Sequence, residues 1–158
     1  MAHISYPRLS ARTQQFTLGR PRSFSVSPDG ARLVFVRSSG GTDRIGRLWT
    51  LDVATGDERE LVDPTSLLPG DSEDLSPQER ARRERMRESA GGIVGYAADR
   101  EVTKAVFALS GRVFVTDLLS GETRQLAVEG PAIDPRLDPT GRYVAYANDR
   151  SLRLIEID

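Results

Sequence analysis

The chain repeats itself. Two stretches, Leu48-Trp49-Thr50-Leu51-Asp52-Val53-Ala54-Thr55-Gly56-Asp57-Glu58-Arg59-Glu60-Leu61 and Val113-Phe114-Val115-Thr116-Asp117-Leu118-Leu119-Ser120-Gly121-Glu122-Thr123-Arg124-Gln125-Leu126, align without a gap at a constant offset of 65. Such self-similarity constrains a fold more than local propensity does, because each copy must be one structural unit stacked on its neighbour. A second pattern, Ser27-Pro28-Asp29-Gly30 followed by Leu33-Val34-Phe35-Val36, returns as Asp138-Pro139-Thr140-Gly141 followed by Tyr143-Val144-Ala145-Tyr146. A degenerate middle copy reads Ala97-Ala98-Asp99-Arg100, followed by Ala105-Val106-Phe107-Ala108. Asp29 to Asp99 is 70 positions, Asp99 to Thr140 is 41 and Asp117 to Asp158 is 41. These spacings imply a period of 41, with a surplus of about 24 residues inserted between Leu61 and Val94.

A period near forty, with four short apolar runs per unit and Gly, Pro, Asp or Ser between them, is the pattern of β-propeller blades. Phe24-Ser25-Val26 alternates and so offers one face to a neighbouring blade. Leu33-Val34-Phe35-Val36 and Val113-Phe114-Val115 are continuous apolar runs suited to strands buried on both faces. Pro-Asp-Gly makes a tight turn, since proline presets one φ and glycine takes the angles other residues avoid. Strands of blade one are expected at about 22–27, 32–38, 47–53 and 58–62. The expectation is an all-β partial β-propeller of about two and three-quarter four-stranded blades. Blade one would occupy about 20–62, an insertion 63–92, blade two 93–130 and an incomplete blade three 131–158. Propellers usually close with about four to eight blades, so the chain reads as the N-terminal fragment of something larger, prone to self-association through exposed blade edges.

The insertion carries one charged helix. Ser76-Pro77-Gln78-Glu79 forms a capping box with proline at the first helical position, and Gly91-Gly92 supplies the exit, so the helix is expected from about Pro77 to Glu88. Only Ala81 and Met86 in its body are apolar, so it reads as a solvated helix with Glu79–Arg83 and Arg80–Glu84 pairs.

Composition excludes several classes of function. Hydrophobic residues make up 38% of the 158 and charged residues 28%, which suits one packed domain. No run approaches the roughly 18 apolar residues of a membrane span, and Met1–Arg22 lacks the apolar block of a signal peptide, so a cytoplasmic protein is expected. There is no cysteine, and His3 is the only histidine, so a disulfide framework, a thiolate nucleophile, a Ser-His-acid relay and the usual zinc sites are all ruled out of this chain. The net charge of −1 provides no field to attract nucleic acid or anionic lipid. No Gly-x-Ser-x-Gly, Gly-x-Gly-x-x-Gly, phosphate loop or His-Glu-x-x-His occurs. No catalytic residue, metal site or cofactor is therefore expected. Asp57-Glu58, Asp71 with Glu73-Asp74, and Glu156 with Asp158 read as turn and linker chemistry. Trp49, matched by Phe114, reads as packing between blades.

One loop departs from the repeat. Ser38-Ser39-Gly40-Gly41-Thr42-Asp43-Arg44-Ile45-Gly46-Arg47 is about five residues longer than its counterpart in blade three, and long loops at one end of a scaffold tend to carry binding residues. Arg44 and Arg47 are its only groups able to make a forked contact to a carbonyl or carboxylate, and the sequence leaves the choice between them open.

Several segments together resemble the start of the N-terminal propeller of bacterial dipeptidyl peptidase IV proteins, in the prolyl oligopeptidase group of serine peptidases. They are Ser10-Ala11-Arg12-Thr13, Phe16-Thr17-Leu18-Gly19, Arg22-Ser23-Phe24-Ser25-Val26-Ser27-Pro28-Asp29-Gly30, and Arg82-Arg83-Glu84-Arg85 leading to Gly92-Ile93-Val94-Gly95-Tyr96. The resemblance spans nearly the whole chain. It implies a cytosolic enzyme whose propeller covers a C-terminal α/β-hydrolase domain and which releases dipeptides from peptide N-termini, preferably after proline. The triad of that family lies in the hydrolase domain, which this chain lacks. The paired glutamates that hold the substrate amine lie in a later propeller segment, and no Glu-Glu pair occurs here. An arginine of the first long blade loop contacts substrate carbonyls in the family, with Asp43-Arg44 the best match and Arg47 the alternative. The implied partners are a peptide substrate and the hydrolase domain of the same parent. The rival expectation is a non-enzymatic TolB-like or WD-type propeller serving as an interaction scaffold, and a weaker one is a sugar-processing propeller enzyme.

Overall fold

Three antiparallel sheets follow one another along the chain, each a simple meander. The computed structural model describes residues 4–68, 77, 81 and 91–157. The first sheet runs β1 (Arg22–Val26), β2 (Arg32–Ser38), β3 (Ile45–Asp52), β4 (Glu58–Val62), with β5 (Gly91–Gly92) added parallel to β3. The second is β6 (Ala97–Ala98), β7 (Lys104–Leu109), β8 (Arg112–Asp117), β9 (Thr123–Leu126), and the third is β10 (Ile133–Leu137), β11 (Tyr143–Asn148), β12 (Ser151–Glu156). This is the expected partial propeller: two four-stranded blades, the first widened by β5, and a three-stranded one, not closed into a ring.

The repeat holds bond by bond. Asp52 and Asp117, 65 apart, each accept from the two amides that follow in their turns, Ala54 and Thr55 in one and Leu119 and Ser120 in the other. Both turns close on glycine, with Gly56 and Gly121 donating to the Asp52 and Asp117 carbonyls at 2.8 Å. One further bond occurs three times: Val53 N–H to Ala31 O, Leu118 to Thr103 and Ile157 to Arg142. So does another, with Ser27, Asp99 and Asp138 donating to the carbonyls of Arg32, Lys104 and Tyr143. These equivalences correct the period. Blade two steps to blade three by 39 residues, at Asp99 to Asp138 and again at Leu118 to Ile157, and not by 41. The middle copy of the Ser-Pro-Asp-Gly turn is therefore Asp99-Arg100-Glu101-Val102, two residues beyond the match on aspartate, and Val102 takes the left-handed φ of 54° that Gly30 and Gly141 take elsewhere.

Two apolar cores lie between consecutive sheets. Val34, Val36 and Leu48 of the first face Phe107, Leu109 and Leu118 of the second; Val106, Val113 and Val115 of the second face Val144, Tyr146 and Ile157 of the third. Polar ties reinforce both. Arg32, the first residue of β2, donates to the Val102 carbonyl at 2.6 Å, and Lys104, its equivalent in β7, donates to the Gly141 carbonyl at 3.3 Å. Arg59 donates to the carbonyls of Leu119 (2.7 Å) and Ser120 (3.3 Å). The Tyr96 hydroxyl donates to Val34 O at 2.8 Å and lies 2.9 Å from the Ser25 hydroxyl; burial raises its pKa to about 12.

β1 and Trp49 sit differently from expectation. β1 alternates, but Phe24 and Val26 are exposed, and it is Ser25 that meets the second blade, its hydroxyl lying against that of Tyr96. Trp49 shares that exposed side: its indole N–H donates to Arg37 O at 3.1 Å and the Arg37 guanidinium lies 4.3 Å from its ring, whereas its match Phe114 is packed between blades. Ahead of β1, helix α1 (Tyr6–Arg12) was not foreseen; Pro7 in its first turn is well placed there. Of the expected helix 77–88, Pro77 and Ala81 are helical and the rest lies outside the described residues; so does His3. Among the described residues no helix is long and apolar enough to cross a membrane.

Candidate functional site

The loop that departs from the repeat is the hairpin joining β2 to β3. Between the paired residues Leu109 and Arg112, or Asn148 and Ser151, the chain turns in two residues. Between the corresponding pair Arg37 and Arg47, nine residues intervene, 38–46, seven more than in the other two blades. Register places this hairpin at the end of the sheets where the first strands begin, because Arg22 pairs with Val36 and Ile133 with Ala147.

Asp43 organises the loop. Its carboxylate accepts from the Ser39 amide (3.2 Å) and hydroxyl (2.5 Å), the Ile45 amide (2.9 Å) and the Arg47 guanidinium (2.5 Å). Burial alone would raise its pKa, but these donors bring it down to about 2. Ser38 ties the loop to the N-terminal segment, accepting from the Gly19 amide at 2.9 Å and donating to Gly40 O at 3.1 Å. On the other side the returning insertion is stitched on: Gly91 donates to Arg44 O and Ile93 to Gly46 O, each at 2.9 Å. Only glycine fits at 46, since a Cβ there would lie 2.1 Å from Ile93 O.

The two candidate arginines separate. Arg47 is 13% exposed and turned inward, donating to Asp43 and to Ile45 O at 3.0 Å, with Glu60 at 3.6 Å and Asp63 at 3.5 Å. Burial works against its charge, but these three carboxylates hold it protonated and raise its pKa. Its fork is spent within the chain. Arg44 is exposed and its side chain has no partner among the described residues, while its backbone is clamped between Asp43 and Gly91. The loop thus presents one free guanidinium on a braced base, suited to a carbonyl or a carboxylate.

A cleft of about 270 Å³ opens between β1, the stretch leading into β6, β7 and β10. Its wall includes Ser23, Tyr96, Asp134 and Arg136, with Asp134 and Arg136 paired at 2.8 Å. Sequence reasoning did not find it. The signal would have been the irregular first strands: Ser23 (φ 56°) and Asp134 (φ 50°) are equivalent, each in a break of register. Of the acidic clusters, Glu58 pairs with Arg37 and Glu156 with Arg142, and Asp71, Glu73 and Asp74 lie outside the described residues.

No protein-family model matches the chain. Among solved structures it is similar to that of a prolyl endopeptidase studied for the role of inter-domain dynamics in catalysis and specificity: 17% identity, TM-score 0.57, covering 99% of this chain and 23% of that one. It is also similar to the β-propeller domain of Cps50 (Swd1) from Myceliophteria thermophila, at 16% identity and TM-score 0.53 over 88% of this chain and 36% of that one. A third likeness is to a structure assigned to TolB from Agrobacterium tumefaciens, at 14% identity and TM-score 0.52 over 86% and 43%. The chain thus spans less than half the length of each, and what the three likenesses show in common is the fold: its sheets are blades of a β-propeller.

Proposed function

We propose that this chain is the N-terminal propeller portion of a cytoplasmic dipeptidyl peptidase IV-like serine peptidase, where it gates and helps bind peptides for a separate α/β-hydrolase domain. The observation that carries the reading is Arg44: a free guanidinium on a rigid, over-long blade loop, at the end of the sheets where the first strands start. There it would take a backbone carbonyl of a bound peptide and hold the scissile bond in register while groups outside this chain attack it. Arg47 would act only as the brace that keeps the loop in shape. The chain by itself would hydrolyse nothing.

The test is chromophore release from a Gly-Pro amide by the product of the full reading frame and by residues 1–158 alone. The longer product is expected to be active and the shorter one silent. In the longer product Arg44→Ala should lower kcat/KM by about 10- to 100-fold, the loss of one charge-assisted hydrogen bond. An active enzyme indifferent to Arg44→Ala would remove the role given to this loop. Silence from both products, with a frame encoding only more blades, would leave the runner-up, an interaction propeller of the TolB or WD type, which the likeness to TolB supports.

A further inference from the structure

Ser38 and Ser110 hold the same place in successive blades. Arg32 and Lys104 open β2 and β7, and each serine stands six residues further on, at the corner into the third strand. The Ser110 hydroxyl is buried without a partner. Ser38 is buried too, but its hydroxyl makes two bonds, accepting from the Gly19 amide at 2.9 Å and donating to the Gly40 carbonyl at 3.1 Å. The same Gly40 carbonyl accepts from the Asp43 amide at 3.1 Å, and the Asp43 carboxylate accepts from the Ser39 and Ile45 amides. A continuous chain of bonds therefore runs from Gly19 through Ser38 and Gly40 to the two residues that flank Arg44.

Gly19 gives that chain a firm anchor, because it ends a segment bonded to itself. The Thr13 hydroxyl donates to Leu9 O at 2.8 Å and accepts from the Phe16 amide at 3.0 Å, while the Thr13 carbonyl accepts from the amides of Thr17 (3.1 Å) and Leu18 (3.2 Å). Between these bonds Gln14, Gln15 and Phe16 are left-handed in succession, at φ 48°, 58° and 62°. Side chains avoid such backbone unless their surroundings dictate it, so the bonds around Thr13 hold the turn in this shape. Gly19 follows at φ 78°, and a Cβ there would lie 3.2 Å from the Gly40 backbone. Main chain rests on main chain, with no flexible side chain between to absorb a displacement. We propose that Ser38 is a positioning residue for Arg44: it pins the long loop against the 13–19 turn and so fixes where the free guanidinium stands. The inference rests on the reading of Arg44 as the group that holds the peptide. It accounts for a hydroxyl that is idle in blade two and doubly bonded in blade one.

The test uses the product of the full reading frame, with a Gly-Pro amide as substrate and hydrogen exchange at the Ser39 and Ile45 amides as a readout that needs no catalysis. Ser38→Ala should speed exchange at both amides by about tenfold and lower kcat/KM by about 3- to 10-fold, the worth of one neutral hydrogen bond. Gly19→Ala, which presses on the same joint from the other side, should act in the same direction. Ser110→Ala, the same change at the equivalent corner, should alter neither quantity. Ser38→Ala combined with Arg44→Ala should be no slower than Arg44→Ala alone, because a residue acting only through Arg44 then has nothing left to place. A general loss of stability would not produce that non-additivity. Unchanged exchange in Ser38→Ala would overturn the proposal, and so would losses at Ser38 and Arg44 that multiply, or full activity in Ser38→Ala beside an impaired Arg44→Ala; each of these leaves the peptide reading standing. Full activity in Arg44→Ala would instead sink that reading, and the positioning role with it.

Discussion

Blade one and blade two turn the corner from second to third strand in opposite ways. Blade two does it in two residues, Ser110 and Gly111, both at positive φ (51° and 76°), the backbone that suits the right-handed twist of a tight hairpin. Nothing projects from it, and the Ser110 hydroxyl is buried without a partner. Blade one spends nine residues and supports them with side chains: Asp43 inside the loop, Arg47 beneath it, Ser38 toward the N-terminal segment and Gly46 against Ile93. The short turn is specified by backbone angles and the long one by a polar network. Only the long one leaves a cation free. An over-long loop on a repeat scaffold is thus informative because its internal bonding decides which side chain is left for something else.

Substitutions should reveal that difference. The largest effect is expected at Gly46, where alanine would drive a Cβ into the Ile93 carbonyl and unzip β5 from β3; about 3 kcal/mol of stability should be lost in urea unfolding. Arg47→Ala comes next. It strands Asp43, Glu60 and Asp63 without their shared cation and should cost about 2 kcal/mol, less than a fully buried pair because the carboxylates keep contact with water. Arg44→Ala, three residues away, should change stability by less than about 0.5 kcal/mol. Equal losses at the two arginines would mean that Arg44 also braces the loop, and the site would lose its free group. In the short turn, Gly111→Ala places a side chain at φ 76° and 3.3 Å from Pro131, and should cost about 1 kcal/mol from backbone strain.

Legibility followed the same division. Where a turn depends on one residue type at one position, the sequence was readable: the Asp52 and Asp117 turns, 65 apart, reproduce each other's bonds. It misled where one bond can be made by different groups. In the first turn of each blade the constant feature is an acceptor for the amide five residues on, supplied by the Ser27 hydroxyl to Arg32 and by the carboxylates of Asp99 to Lys104 and Asp138 to Tyr143. Matching aspartate to aspartate therefore shifted the middle copy by two and inflated the period. The choice between Arg44 and Arg47 was equally closed to the sequence, since the partners that decide it, Glu60 and Asp63, arrive from β4 and the start of the insertion.

The effect most specific to the long loop is its response to acid. Asp43 is held at about 2, below the ordinary 3.8, so the stability it contributes is fully present above the unfolded value and is lost as pH falls through the folded one. The window lies between about pH 4 and pH 2. Asp43→Asn should destabilise the chain at about pH 6, and the gap to wild type should shrink as pH falls through that window. Asp29, Asp52, Asp117 and Asp138 are also depressed, but they are unchanged in the variant and cancel in the difference; only Asp63, which shares Arg47, is coupled. Ser110→Ala supplies the contrast from blade two, where the turn has no carboxylate: its difference from wild type should be flat over the same range. A gap for Asp43→Asn that stayed equally flat would show that the carboxylate holds the loop by shape and not by charge, and the electrostatic distinction between the two hairpins would fall.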